Sequence, residues 1–259
     1  MASSFPTAKD VLINPGVGAK QNTTSHRAQH GNANDAIEAL QDKVGIDNSA
    51  DTTTLDYKTR QLANLSGRNV VLNGDMSAWS LGTGPFTANG VTTADGMLNY
   101  IAAGATCSIT RESLAATDPF TYAAQIATTT ASTVNEYQIL YIPIDNVRTL
   151  AGETVVLSFY AKATASGKYL STEIQQNFGS GGSATITGIG VTKHALTTSL
   201  ARYQCTFTMP TLSGKTIGAG SFVAIGFWTT AGSNLNARTG SLGNQTATIS
   251  ITGVQLERG

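Results

Sequence analysis

The residues in this 259-residue chain that could do chemistry are three histidines, two cysteines and a scatter of carboxylates. His26 and His30 stand four apart. On a helix that spacing aligns two imidazoles for a metal ion, and an oligomer axis would multiply them. The pair falls beside Gly31, ahead of where the helical period begins, so capping or turn formation is the plainer expectation. His194 lies in a Thr-rich stretch. Cys107 and Cys205 are far apart, form no metal or redox motif and sit in strand-like runs, which predicts free thiols. A disulfide between them would need Cα atoms within about 7 Å. Among the acids, Asp75, Asp95, Glu112, Asp118, Glu136, Glu173 and Glu257 show no spacing that marks out a hydrolytic pair. No Gly-x-Ser-x-Gly, His-Glu-x-x-His or phosphate-binding loop is present. Gly179-Ser180-Gly181-Gly182 lacks the following Lys and helix and reads as a turn. The expectation is binding without catalysis.

Sugar recognition asks for an exposed aromatic platform flanked by amides. The available rings include Trp79, Tyr100, Tyr137, Tyr160 and Trp228. Trp228 ends the apolar run Phe222–Trp228 and reads as core. Trp79 lies in a Gly-rich loop and reads as exposed, while Tyr160 shares a polar strand face with Ser158 and Lys162. Trp79, Tyr100 and Tyr160 are therefore the candidate ligand-binding residues.

These side chains must be positioned by a charge-poor chain. Sixteen basic residues balance sixteen acidic ones, and charged residues make up 12% of the total. A protein that neutralises nucleic-acid phosphates needs a basic excess, which is absent. No apolar run approaches the ~20 residues of a membrane span, and the N-terminal residues do not read as a secretory signal, so a cytosolic product without membrane insertion is expected. Fourteen of the charges fall within residues 1–68, which marks a boundary near Ser66-Gly67-Arg68. Residues 1–30, broken by Phe5-Pro6 and Asn14-Pro15-Gly16, read as an extended arm. From Asn32, Ala33, Ile37, Leu40 and Val44 recur at helical spacing, with Asn32 or Asn34 to cap the start and Gly45 to close the end. Residues 47–54 read as a polar linker. A second short helix is expected over 54–65, with Leu55, Leu62 and Leu65 on one face. Narrow stripes on short helices face other helices, so residues 31–66 read as an oligomerisation neck through Ile37, Leu40, Val44, Leu55, Leu62 and Leu65.

After Asn69 the period changes to strands bounded by turns: 70–72, 97–101, 106–110, 122–128, 137–144, 154–163, 169–176, 184–187, 203–208, 222–229 and 247–256. Val155, Leu157, Phe159 and Ala161 share one face. Ile249, Ile251, Gly253 and Gln255 are expected to oppose Ser250, Thr252, Val254 and Leu256. Many short strands without intervening helices predict a mainly β chain, an antiparallel jelly-roll sandwich over residues 69–259.

Two sets of residues carry a resemblance. Phe5-Pro6-Thr7, Asn14-Pro15, Ser25-His26, Gln29-His30, Asn34–Gln41 and Leu55-Asp56-Tyr57-Lys58 resemble the virion-proximal region of tailed-bacteriophage fibre and minor structural proteins. Val71–Met76 with Trp79, Thr93-Ala94-Asp95-Gly96, Val155–Ala161, Ala201-Arg202-Tyr203 and the closing Ile251–Glu257 resemble the carbohydrate-binding-module-like jelly roll of phage appendages. Met76 and Met97 depart from that frame, where an aromatic is common at the first position and Trp or a basic residue at the second. The resemblance implies a virion component: a short homotrimeric fibre whose arm, through Phe5, Pro6, Leu12, Ile13 and Pro15, anchors in a tail, neck or capsid protein. Its head would display sites for host-surface glycan. A head fibre or capsid decoration protein with a stabilising knob is the second reading, and a carbohydrate-binding module outside phage the third. Such jelly rolls often hold a structural calcium where first and last strands meet, which implies Asn73, Asp75 and Glu257 as ligands, the alternative being that the acids cap turns.

Overall fold

In the computed structural model, residue 8 and residues 24–59, 69–102 and 104–259 are described. The expected anchor residues Phe5, Pro6, Leu12, Ile13 and Pro15, and the neck residues Leu62 and Leu65, lie outside them. The chain divides into two units, residues 1–68 and 69–259.

In the first unit, helix α1 (Thr24–Val44) starts eight residues before the expected cap at Asn32. The reason is local. Residues 25–30 hold no proline and include the good helix formers Ala28, Arg27 and Gln29, and a single Gly31 costs only about 1 kcal/mol relative to Ala. The arm therefore does not run extended to residue 30. The other end matches expectation: Gly45, at φ +82°, donates to the Gln41 carbonyl at 2.8 Å and turns the chain out of the helix. The linker is tightly tied, with Ser49 N–H donating to Asp56 Oδ2 at 3.0 Å. Thr54 begins α2, described over residues 55–59, by accepting at Oγ1 from Tyr57 N–H (3.3 Å). Ile37, Leu40 and Leu55 are 45%, 63% and 59% exposed, and Val44 is half-buried.

The second unit is an antiparallel sandwich of eleven strands: β1 (Val91–Thr92), β2 (Leu98–Ala102), β3 (Thr106–Ser113), β4 (Tyr122–Thr130), β5 (Tyr137–Asp145), β6 (Thr154–Ala163), β7 (Tyr169–Asn177), β8 (Ile186–Ala195), β9 (Ala201–Thr208), β10 (Phe222–Ala231) and β11 (Ala247–Arg258). One sheet has the order β1-β2-β5-β10-β7-β8, the other β3-β4-β11-β6-β9. The core between them follows the period of two. Val155, Leu157, Phe159 and Ala161 of β6 are all buried and meet Val223, Ile225 and Phe227 of β10 within one cluster. In β11 the expected alternation holds only at first. A bulge between Thr252 and Gln255 shifts the register, so Ile249 and Ile251 face inward and then Val254 and Leu256 do. Gly253, at φ +61°, forms that bulge, and a Cβ there would lie 2.4 Å from the Phe120 ring.

The chain enters the sandwich against β11. Residues 70–72 form no strand of their own. Instead Val70 N–H donates to Leu256 O (3.1 Å), Asn69 Oδ1 accepts from Leu256 N–H (3.1 Å), and Val254 N–H donates to Gly74 O (2.9 Å). Gly74 is required by this approach, because a Cβ would sit 2.2 Å from the Val254 carbonyl oxygen. Met76 and Met97 are fully buried and fill the core beneath. Cys107 and Cys205 are free, on β3 and β9 at opposite edges of one sheet. Four strand spacings, roughly 19 Å, separate them. Burial pushes the Cys107 thiol up to about 11.

Candidate functional site

The residues of β2, β5, β7 and β10 that do not enter the core form the outer face of the six-stranded sheet. By alternation these are Leu98 and Tyr100, then Tyr137, Ile139, Tyr141 and Pro143, then Phe222, Ala224 and Trp228, with Glu173 and Gln175 from β7. The apolar ones make a second cluster separate from the core. Tyr141 is its centre. Its ring meets Tyr100 edge-on at 5.3 Å and Phe222 at 6.3 Å, and Tyr137 meets Trp228 at 5.6 Å.

A polar chain crosses the same face. Tyr141 O–H donates to Gln175 Oε1 (3.3 Å), and Gln175 Nε2–H donates to Glu173 Oε1 (2.8 Å). Gly188 N–H donates to Glu173 Oε2 (2.9 Å), and Arg238 grips both carboxylate oxygens, its Nε at 3.2 Å from Oε2 and its Nη2 on Oε1. The Glu173 side chain is fully buried, so this two-pronged pairing is what makes its charge tolerable. Burial, with the charges of Tyr100 and Glu173 nearby, drives the Tyr141 phenol far above its ordinary pKa, so it stays a hydrogen-bond donor.

Arg238 comes from the β10–β11 connection, which folds over part of this face as a short 3₁₀ turn (Ser233–Leu235) and helix α3 (Asn236–Thr239). Its guanidinium lies 4.8 Å above the Trp228 ring. Ser171 O–H donates to Thr239 O (2.7 Å), and Lys193 Nζ donates to Ser241 O (2.9 Å). The connection thus lies over β10, β7 and β8. Tyr100 and Phe222, half-buried, and Pro143 and Asp145, exposed, remain on the side towards β2 and β5.

Of the expected ligand residues, only Tyr100 belongs to this face. Trp79 is 9% exposed, stacks on Phe86 at 6.2 Å and donates from Nε1 to Met76 O at 2.7 Å. The Gly-rich loop folds it inward, which corrects the expectation of an exposed ring. Tyr160 lies on the other sheet, edge-on to Phe120 at 5.2 Å. The three residues are not brought together. Trp228 is buried as expected, though on the outer cluster rather than between the sheets. Tyr141, Phe222, Glu173, Gln175 and Arg238 carried no local signal, since β-pairing and a 65-residue separation join Glu173 to Arg238.

The expected calcium ligands do not converge. Asn73 is spent on Ala78 and Asp95 backbone carbonyls and on Ala78 N–H, and Asp75 Oδ1 accepts from Ser77 N–H and O–H. Asp75 lies beside Thr252, whereas Glu257 stands five residues further along β11, roughly 16 Å away. The turn-capping alternative fits Asp75. Among the described residues, no group of three or more His, Cys, Asp or Glu is placed to hold a metal within one chain. Other acids are also engaged in local structure. Asp95 accepts from Ser80 N–H (2.7 Å) and O–H (2.5 Å), which holds its carboxyl below the ordinary range. Asp118 accepts from Ala115 N–H, Glu136 from Ser132 and Thr133 N–H, and Glu112 pairs with Lys162 at 2.9 Å.

No family model matches the sequence, and no curated protein matches it. Several solved structures match part of the chain. The enzymatically active domain of tailspike protein 4 of bacteriophage CBA120 matches at 15% identity and a TM-score of 0.43, over 73% of this chain and 21% of that one. The chain thus spans about a fifth of that protein's length. A CBM4 structure matches at 17% identity and a TM-score of 0.47, over 73% of this chain and 99% of that one. The family 11 carbohydrate-binding module from Clostridium thermocellum, in complex with a β-1,3-1,4-mixed-linked tetrasaccharide, matches at 13% identity and a TM-score of 0.41, over 66% and 94%.

Proposed function

We propose that this protein is a non-catalytic appendage component of a bacteriophage particle, anchored by its N-terminal segment and presenting the sandwich to host-surface glycan. The observation that carries the binding reading is the half-open aromatic face. Half-buried Tyr100 and Phe222 offer apolar ring surface, backed by buried Tyr141, whose O–H is held by Gln175, an arrangement that suits a sugar's C–H faces. The carboxylate on that face is locked to Arg238, which suits recognition rather than proton transfer. The virion reading is supported by the arm and neck residues quoted above. Self-association as a homotrimer, through a helix whose apolar stripe is exposed, would raise the effective concentration of weak sites on a repetitive glycan.

Two experiments test this. Glycan-array binding of the full chain should be retained by Trp79→Ala, provided it folds, and reduced at least ten-fold by Tyr100→Ala and Phe222→Ala; unchanged binding in both would overturn the assignment of this face. Immunogold labelling of purified phage particles should place the protein on the virion, and its absence there would overturn the appendage reading.

A further inference from the structure

At the end of the open half, three side chains stand in one row across the strands. Asp145, the last residue of β5, is opposite Phe222, the first of β10, and Phe222 is opposite Asn177, the last of β7. Directly opposed residues share a face of a sheet, so all three are on the outer face with Tyr141. Asp145 is exposed, and Phe222 and Asn177 are half-buried. Each flanking strand is roughly 5 Å from β10. The row is therefore an aromatic ring with a carboxylate on one side and a carboxamide on the other.

The remaining polar groups further along this face are already spent. Glu173 is taken by Gln175, Gly188 and Arg238, and Gln175 by Tyr141 and Glu173. The connection over the far half is tied at both ends, with Gly232 N–H donating to Glu136 O (2.7 Å) and Asn244 Nδ2 donating to Thr133 O (2.8 Å), so it acts as a fixed wall. Asp145 differs. Only its backbone carbonyl is engaged, by Thr149 Oγ1 at 2.9 Å, and its carboxylate has no partner among the described residues. Asn177 Oδ1 accepts from Gly179 N–H at 2.9 Å, which fixes the carboxamide and leaves Nδ2 as a donor.

We infer that the Asp145–Phe222–Asn177 row is a sugar subsite that takes a neutral sugar and turns away acidic ones. The inference rests on the glycan reading of this face given above. The Phe222 ring receives the C–H face of the sugar. An ionised carboxylate only accepts, and its two oxygens suit two hydroxyl donors on neighbouring carbons, while Asn177 Nδ2–H donates to a sugar oxygen. Charge supplies the selection. Glu173 and Arg238 cancel one another, so Asp145 leaves the open half with an unbalanced negative charge, and Arg148, close by in sequence, forms no ion pair with it among the described residues. A sialic or uronic acid carboxylate placed on Phe222 meets like charge, a repulsion that neutral hexoses escape.

The test measures binding of the full chain to immobilised neutral hexose oligosaccharides and to sialylated or uronic-acid-containing ones. Neutral glycans should bind at least ten-fold more tightly. Asp145→Ala should lower that binding at least ten-fold, and Asp145→Asn should narrow the gap to the acidic glycans. Asn177→Asp keeps the acceptor for Gly179 N–H but loses the donor, and should also weaken neutral binding at least ten-fold, with an unchanged melting transition showing that each variant folds. Equal binding of acidic and neutral glycans by the native chain would overturn the inference, as would neutral binding unaltered by Asp145→Ala and Asn177→Asp. Losses in Tyr100→Ala and Phe222→Ala without losses in those two would defeat this subsite and leave the face standing. No binding to any glycan, or binding indifferent to all four variants, would defeat both.

Discussion

The two sheets present different outer faces to solvent. The six-stranded sheet carries rings, the fully buried Glu173 carboxylate paired with the partly exposed Arg238, and a connection folded over its far half. The five-stranded sheet carries Ser158, Gln204, Thr206 and Gln255, the Tyr160–Phe120 contact above Gly253, and a partly exposed Lys162–Glu112 pair. Both have the same period-of-two backbone beneath. The difference lies in how charge is treated. Glu173 is taken fully out of water and held by Gln175, Gly188 and Arg238, whereas Lys162 and Glu112 keep 23% and 20% of their side-chain surface exposed and lean on one ion pair.

The largest expected effect is on the covered face. Arg238→Ala leaves Glu173 buried and unpaired and should cost about 3 kcal/mol in chemical denaturation, with much of the loss recovered by adding Glu173→Gln. A cost below about 1 kcal/mol would erase the contrast between the faces. Next comes Gly253→Ala, which places a methyl at positive φ against Phe120 and should cost about 2 kcal/mol by the same measurement. Lys162→Ala on the open face should cost no more than about 1 kcal/mol and should lose even that in high salt. Smallest is a pH effect that belongs to neither face. His194, between the sheets beside Phe159 and Thr172, is held by burial below its ordinary pKa. The unfolded chain therefore binds the proton first, and stability present above about pH 6.5 falls on acidification. Melting temperature should drop between pH 7.5 and 5.5, and His194→Gln should remove that contribution.

Most of the sandwich was legible because local pattern and tertiary role coincide. The strand expected at 154–163 is β6 to the residue, since Val155, Leu157, Phe159 and Ala161 alternate without interruption. β11 was legible only as far as its bulge, because Gly253 gives no sign in sequence that the inward face changes there. The start of α1 was missed for a related reason: Gly31 and Asn32 look like a stop and a cap, yet neither outweighs the helix-forming residues around them. The candidate site was the least legible part. Tyr100 could be singled out as a ring, but its neighbours Tyr141 and Phe222 are set by strand order, and the Arg238–Glu173 pair by a connection that could not be placed from spacing.

The bonds from Asn69, Val70 and Gly74 to β11 have a mechanical meaning. Any pull transmitted along the chain from residue 68 reaches the sandwich at the middle strand of the five-stranded sheet, flanked by β4 and β6, rather than at a peripheral strand. Tension there is met first by the hydrogen bonds of residues 69–74 with β11, at the centre of a sheet, before any edge strand is loaded.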